Sequence, residues 1–352
     1  MTNPTRTRGA AARILRIASA AVLLAVAHAT GATGPLRVSA VNPARAATAD
    51  SEATATPSVT ATPSATATPS AIPTPAATAA PAARRALNRG RVRLYRIAAP
   101  SLERIDRSVR VYLPPSYGSP HLGELRYPVV YLLHGWPGGD GNWPGQGRAI
   151  DTLDSLTASG AIPDVIAIMP NGNGIGLLGR SLYLNSYDGR SRMEDFIVQD
   201  LVAWVDSTFL TRPDSAHRAV IGLSEGATAA LNLAFRHPAV FGACAGHSGQ
   251  YVIQHDVGMR AVFGPEPGAT RLREENSPTF YASKIAPQLR RQIIYFDCGI
   301  HDGELEDNRE LHRLLEALGV PHIYHEYPGH HGWTFWRNHL GESLIVCLAG
   351  MR

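Results

Sequence analysis

Ser224 stands at the centre of Gly222-Leu223-Ser224-Glu225-Gly226, a G-x-S-x-G pentapeptide in which a hydroxyl can become a nucleophile. The preceding Arg218-Ala219-Val220-Ile221 reads as a short buried strand, and Ala227 to Arg236 as a helix rich in Ala and Leu. A serine on so tight a strand-to-helix turn is pushed out of the sheet with its hydroxyl exposed. The glycines are needed because a Cβ beside it would meet the neighbouring strand and helix. The same turn aims the Glu225 N–H and the helix N-terminus at negative charge developing near the serine.

A serine hydroxyl needs a base to take its proton, and the base needs an acid to orient it. Both occur downstream in the order Ser, acid, His. Asp302 lies in the loop beyond the strand ending in Phe296-Asp297-Cys298-Gly299, where a carboxylate can reach an imidazole. Asp297, inside that strand, reads as a structural hydrogen-bonding residue. Glu304, Glu306 and Asp307 open the next helix, where carboxylates favour the dipole. Tyr327-Pro328-Gly329-His330-His331-Gly332-Trp333 follows the last strand, and from that turn either His330 or His331 can swing over Ser224. His247, His301 and His325 read as surface or hydrogen-bonded core histidines. No His-x-x-x-His pair accompanies a carboxylate at a metal-binding spacing, so neither a metal nor a cofactor is expected. His134-Gly135-Trp136-Pro137-Gly138-Gly139 follows a central strand, where an oxyanion loop belongs. The main-chain N–H of Trp136 would join that of Glu225, with His134 bracing the loop.

Such a constellation demands a sheet whose strand ends converge. Val109–Leu113 alternates as an early strand, and Tyr127–Leu133 and Val165–Met169 are continuous apolar runs suited to burial on both faces. Further strands are expected at 218–221, 241–245, 292–296 and 322–327. Helices are expected at 151–159, 193–209, 227–236, 307–318 and 333–347, with a glycine-rich loop over 171–192 and an irregular region over 251–284. Strands alternating with helices predict an α/β domain with a mostly parallel sheet covered on both faces, its chemistry at the carboxyl ends of the strands.

The ends of the 352-residue chain are of another kind. Residues 1–46 read as a secretory leader: Arg6, Arg8, Arg13 and Arg16, an apolar segment from Ile17 to Ala27, then Ala44-Arg45-Ala46 as a cleavage site. That apolar segment is shorter than the roughly 20 residues that span a bilayer, so no stable membrane span is expected in the mature chain. Residues 47–86 form a tether of Ala, Thr, Pro and Ser, with Ala-Thr-Pro-Ser at 55–58, 61–64 and 67–70 and no core to repay ordering. Residues 87–352 remain for one catalytic domain. Residues 1–83 hold six arginines against two acids and so carry the whole formal charge of +4, which leaves a near-neutral domain and argues against nucleic acid as a partner. Cys244, Cys298 and Cys347 are too few and too scattered for a disulfide framework or a zinc site.

Longer stretches carry a family likeness. They include Val111-Tyr112-Leu113-Pro114-Pro115-Ser116-Tyr117, Tyr127 through His134-Gly135, Arg192-Met193-Glu194-Asp195-Phe196-Ile197, Arg236-His237-Pro238, Ser248-Gly249 and the Pro-Gly-His-His-Gly-Trp turn. In these the chain resembles the "Putative esterase" family of α/β-hydrolases, which includes the S-formylglutathione hydrolase (esterase D) group, bacterial feruloyl esterases and the mycolyltransferases. The resemblance implies an α/β-hydrolase fold. Trp333 and Trp336 fix the register of the turn, so it also implies His331 as the base, Asp302 as the acid, and Trp136 and Glu225 as the oxyanion donors. Where the family commonly has Met after the serine and Gly two positions later, this chain has Glu225 and Ala227. The carboxylate beside the nucleophile is expected to disfavour anionic substrates or to pair with an arginine. The expectation is a secreted or envelope-associated serine carboxylesterase acting on a small-molecule or polysaccharide-linked ester, with a feruloyl or acetyl ester suiting an exported enzyme. Acyl transfer to a sugar and a non-catalytic envelope protein are the alternatives. Trp143, Tyr183 and Tyr187 are candidate pocket residues.

Overall fold

Strands buried at every position form the centre of the sheet, and strands that are exposed or half-buried along most of their length form its edges. The computed structural model describes residues 89–103, 105–119, 125–174, 179–253 and 259–351. The leader and the tether expected above lie outside the described residues. In chain order the strands are β1 (Arg91–Ile97), β2 (Arg107–Leu113), β3 (Val129–Leu133), β4 (Ile166–Pro170), β5 (Arg218–Leu223), β6 (Ala243–His247), β7 (Ile293–Gly299) and β8 (Ile323–Tyr327). They form one eight-stranded sheet in the order β1-β2-β4-β3-β5-β6-β7-β8. The β1–β2 and β2–β4 pairs are antiparallel and the other five pairs parallel, which agrees with the mostly parallel sheet expected.

Alternate residues of each strand feed two separate cores. Val129, Tyr131 and Leu133 of β3 pack on one face with Val220 of β5, while Val130 and Leu132 pack on the other with Ala219 and Ile221. The first face is covered by α2 (193–208), α3 (Glu225–Arg236), α6 (Pro278–Leu289) and α7 (Leu305–Ala317). The second is covered by α1 (Ala149–Ala158) and α8 (Trp333–Leu348). Helix α2 is continuous through Met193–Asp195, a π-helical stretch Phe196–Leu201 and Val202–Thr208. Each large aliphatic or aromatic side chain sealed in these cores contributes roughly 1.5–3 kcal/mol of transfer free energy. Cys244, Cys298 and Cys347 are buried free thiols.

Two expectations need correction. The region 251–284 is largely helical: α4 (Arg260–Phe263) and α5 (Gly268–Glu275) precede α6. Pro265, Pro267 and Pro278 hide this, because proline reads as a breaker, although Pro278 at the first turn of α6 is well placed. Strand β1 was not expected at all. Among the described residues it pairs only with β2, and it exposes nearly every residue, with Arg91, Arg93 and Arg96 placing charge along the edge. Among the described residues no helix is long and apolar enough to cross a membrane.

Candidate active site

The carboxyl ends of β3, β5, β6, β7 and β8 lie side by side, and the loops leaving them carry His134–Trp136, Ser224, Ser248, Asp302 and His331. At the end of β5 the chain reverses into α3 through Ser224, whose φ of 53° lies in the left-handed region. That conformation costs a non-glycine residue of order 1–3 kcal/mol and persists because the surroundings over-determine it. Here the Ser224 N–H donates to the His247 carbonyl at 2.8 Å, and the Ser224 carbonyl accepts from the Ala227 and Thr228 N–H groups. Glycine is obligatory on either side. A Cβ on Gly222 would overlap the Gly226 carbonyl, and one on Gly226 would overlap the carbonyls of Leu133 and His134.

Three residues far apart in sequence meet here. His331 Nε2 lies 2.9 Å from Ser224 Oγ, and His331 Nδ1 lies 2.9 and 3.0 Å from the two oxygens of Asp302. An ionised carboxylate only accepts, so Nδ1 carries the proton and Nε2 presents its lone pair to the serine hydroxyl. Burial alone would lower the pKa of His331, but the hydrogen bond and charge of Asp302, with the charge of Glu304, outweigh it and hold it above the ordinary value. Burial pulls Asp302 upward. The His331 and Glu304 N–H donors and the Ser248 side chain prevail and leave it below the ordinary carboxylate range. Trp336 packs edge-on against the His331 ring at 5.0 Å and limits its rotation. His330 stacks instead on His301 at 5.1 Å.

The cleft in front of Ser224 is lined by Trp136, Arg180, Glu225, Ser248, Gln250 and Glu304. The N–H of Glu225 opens α3, where no carbonyl stands four residues back to receive it. Trp136 borders the same cleft from the loop after β3. His134 behind it is buried. Its Nε2 accepts from the Gly172 N–H at 2.9 Å while Nδ1 meets the Gly135 carbonyl at 2.8 Å, which fixes one neutral tautomer. Burial lowers its pKa, consistent with a brace for the loop.

Glu225 pairs with an arginine, one of the two outcomes expected of it. Its buried carboxylate accepts from Arg180 Nε at 3.1 Å and from the N–H groups of Ser181 and Leu182 at 3.3 and 2.7 Å. Burial raises its pKa, and these donors only partly offset that. Arg180 in turn lies over the Trp136 ring at 5.8 Å. Glu225→Ala strands these donors, so it should lower the unfolding free energy by about 2–4 kcal/mol, read from urea denaturation. A change below the error of that measurement would contradict the tie.

Trp143 and Tyr183 do not line the cleft. Trp143 is 1% exposed because its indole N–H donates to the Leu133 carbonyl at 2.9 Å, and Tyr183 is buried with its hydroxyl on the His134 carbonyl at 3.0 Å. Tyr187 is 52% exposed but borders a different cleft, with Arg190 and Arg260. Arg180, Gln250 and Glu304 were not singled out as cleft residues. The only sequence signal for Arg180 was Glu225, a carboxylate whose burial requires a cation. Among the described residues no group of three or more His, Cys, Asp or Glu side chains is arranged to hold a metal ion.

Residues 101–346 match the family model described as "Putative esterase". The chain belongs to that family. An endo-1,4-beta-xylanase/feruloyl esterase of Xylanibacter ruminicola is 33% identical over 163 residues, 45% of this chain and 22% of that protein. An esterase of Mycobacterium tuberculosis is 26% identical over 249 residues, 63% of this chain and 52% of that one. The chain therefore spans about half or less of the length of these curated relatives. Among solved structures, a ferulic acid esterase is 27% identical with a TM-score of 0.67, covering 75% of this chain and 99% of that chain. The esterase fold here is the α/β-hydrolase fold.

Proposed function

We propose that this member of the esterase family is an exported serine carboxylesterase. The observation that carries the reading is the unbroken line of contacts from Asp302 through His331 to Ser224, each close to 2.9 Å, on a strained turn that exposes the serine. Ser224 Oγ attacks the ester carbonyl as its proton passes to His331 Nε2, and Asp302 stabilises the imidazolium. The N–H groups of Trp136 and Glu225 receive the oxyanion. The intermediate collapses by breaking the bond to the alcohol oxygen, which departs with the proton from Nε2 while the acyl group stays bonded to Ser224 Oγ. Water, deprotonated by His331, then attacks the acyl carbonyl and releases the acid and the free serine.

For the substrate we propose a feruloyl or acetyl ester carried on a polysaccharide. Support comes from the likeness to feruloyl and ferulic acid esterases and from the leader features of residues 1–46. Feruloyl, acetyl and longer-chain p-nitrophenyl esters, with acylated xylan beside them, test this. Release of ferulate or acetate from the polysaccharide is the expected result. Turnover confined to long-chain esters would sink the substrate assignment. Product analysis with glucose or trehalose present decides between water and a sugar as acceptor, and free acid is expected in both.

The reaction needs Nε2 unprotonated, and the pKa of His331 stands above the ordinary value of 6.5. Activity should therefore be lost as the pH falls, with the midpoint of the acid limb of kcat/KM above 6.5. A pH–rate profile on a neutral ester checks this, and a midpoint below that value would contradict it.

A further inference from the structure

A second chain of the same three residue types lies in the same end of the sheet, sealed from solvent. His247 Nδ1 is 2.9 Å from both oxygens of Asp297, and His247 Nε2 is 3.0 Å from Ser343 Oγ. The Tyr295 hydroxyl donates to Asp297 at 2.8 Å. His247, Asp297 and Ser343 are wholly buried, so no ester can reach Ser343, and this is not a second catalytic centre.

Its significance lies in the elements it joins. His247 pairs across the sheet with Leu223, the residue before the nucleophile, and on its other side with Asp297. Its carbonyl accepts the N–H of Ser224, and the Asp297 carbonyl accepts the N–H of Ser248, both at 2.8 Å. From Asp297, β7 runs on toward the loop that bears Asp302. Ser343 belongs to α8, which begins just after His331 and carries the Trp336 ring packed on it. The Trp336 indole N–H also donates to Ser248 Oγ at 3.0 Å. One line of directional bonds thus spans the three supports of nucleophile, acid and base.

We propose that His247, Asp297 and Ser343 are positioning residues that hold Ser224, Asp302 and His331 in mutual register. This rests on the esterase reading of the site. An apolar core at this point would tolerate sliding of α8 against β6 and β7. A fully partnered buried polar chain fixes the separation and rigidifies its surroundings. Register matters here because a displacement of about 1 Å at a reacting group can cost about 100-fold in rate.

Asp297→Asn and Ser343→Ala in the full chain test the proposal, each assayed well below its own melting temperature. For Asp297→Asn, kcat on p-nitrophenyl acetate should fall about 10- to 100-fold with KM within about twofold, and labelling of Ser224 by a fluorophosphonate should slow in parallel. Ser343→Ala should show the same split, several-fold in size. If folded variants keep the kcat and labelling rate of the parent, whatever their loss of melting temperature, the chain merely stabilises the fold and the proposal is overturned. Should Asp297→Asn not fold, Ser343→Ala decides. The proton NMR signal of His331 Nδ1–H gives a readout independent of turnover. It should shift or broaden in Ser343→Ala, and an unchanged signal overturns the proposal. A parent protein that hydrolyses no ester would defeat the esterase reading, and this signal would still report on positioning.

Discussion

Ser224→Ala should lower kcat/KM on any ester substrate by about 10⁴-fold or more while leaving the protein folded. The whole bond-making step runs through Oγ. Without it, the oxyanion donors and the binding cleft remain, but only water can attack. The fold should survive because the one partner of Ser224 Oγ among the described residues is His331 Nε2, in a bond exposed to solvent, whereas the turn is held by main-chain bonds that alanine keeps. Steady-state assays with near-UV circular dichroism separate the two effects. A variant that keeps more than about a hundredth of the parent activity would show that another group attacks.

Asp302→Asn should cost about 10³- to 10⁴-fold in kcat with little change in KM. Asp302 Oδ1 accepts the Glu304 N–H at 2.9 Å, while both oxygens face His331 Nδ1. An asparagine that keeps the Glu304 bond through its carbonyl turns its NH₂ toward Nδ1. The imidazole must then accept at Nδ1 and carry its proton on Nε2, which leaves no lone pair to take the serine proton. The carboxylate that lifts the pKa of His331 is lost as well, so the residual activity should show its acid limb at lower pH than the parent. Measuring kcat and the pH profile together checks both consequences. A loss of less than tenfold would mean that Asp302 does not orient the base.

How far the site could be read from sequence depended on how local its causes are. The central strands β3, β4 and β5 were legible because burial on both faces writes itself as an uninterrupted apolar run. The turn at Ser224 was legible because two backbones approach so closely that only glycine fits beside it. The choice between His330 and His331 was not legible from spacing, since adjacent residues on one turn can each reach the strand end. The likeness of the Trp333–Trp336 register pointed to His331, and the structure brings that ring to Ser224.

Other features rest on causes that leave no local trace. Trp143 and Tyr183 sit in glycine-rich loops that suggest a substrate wall, yet each turns inward to satisfy a distant carbonyl, that of Leu133 or His134. Exposed β1 has no buried face to impose a pattern. The His247–Asp297–Ser343 chain depends on the register of β6 against β7 and on where α8 lies across them. Neither is written in the neighbourhood of any one of the three residues.

The central claim is that an acyl group passes through the Ser224 oxygen, and peptide mass spectrometry tests it most directly. The protein is mixed with excess p-nitrophenyl acetate, quenched in acid within the first turnovers and digested. The account predicts an acetyl mass increment on the peptide carrying Ser224, removed when the unquenched sample stands after substrate is exhausted, and absent in Ser224→Ala. Turnover with no increment on that peptide, or an increment that persists in Ser224→Ala, would contradict it.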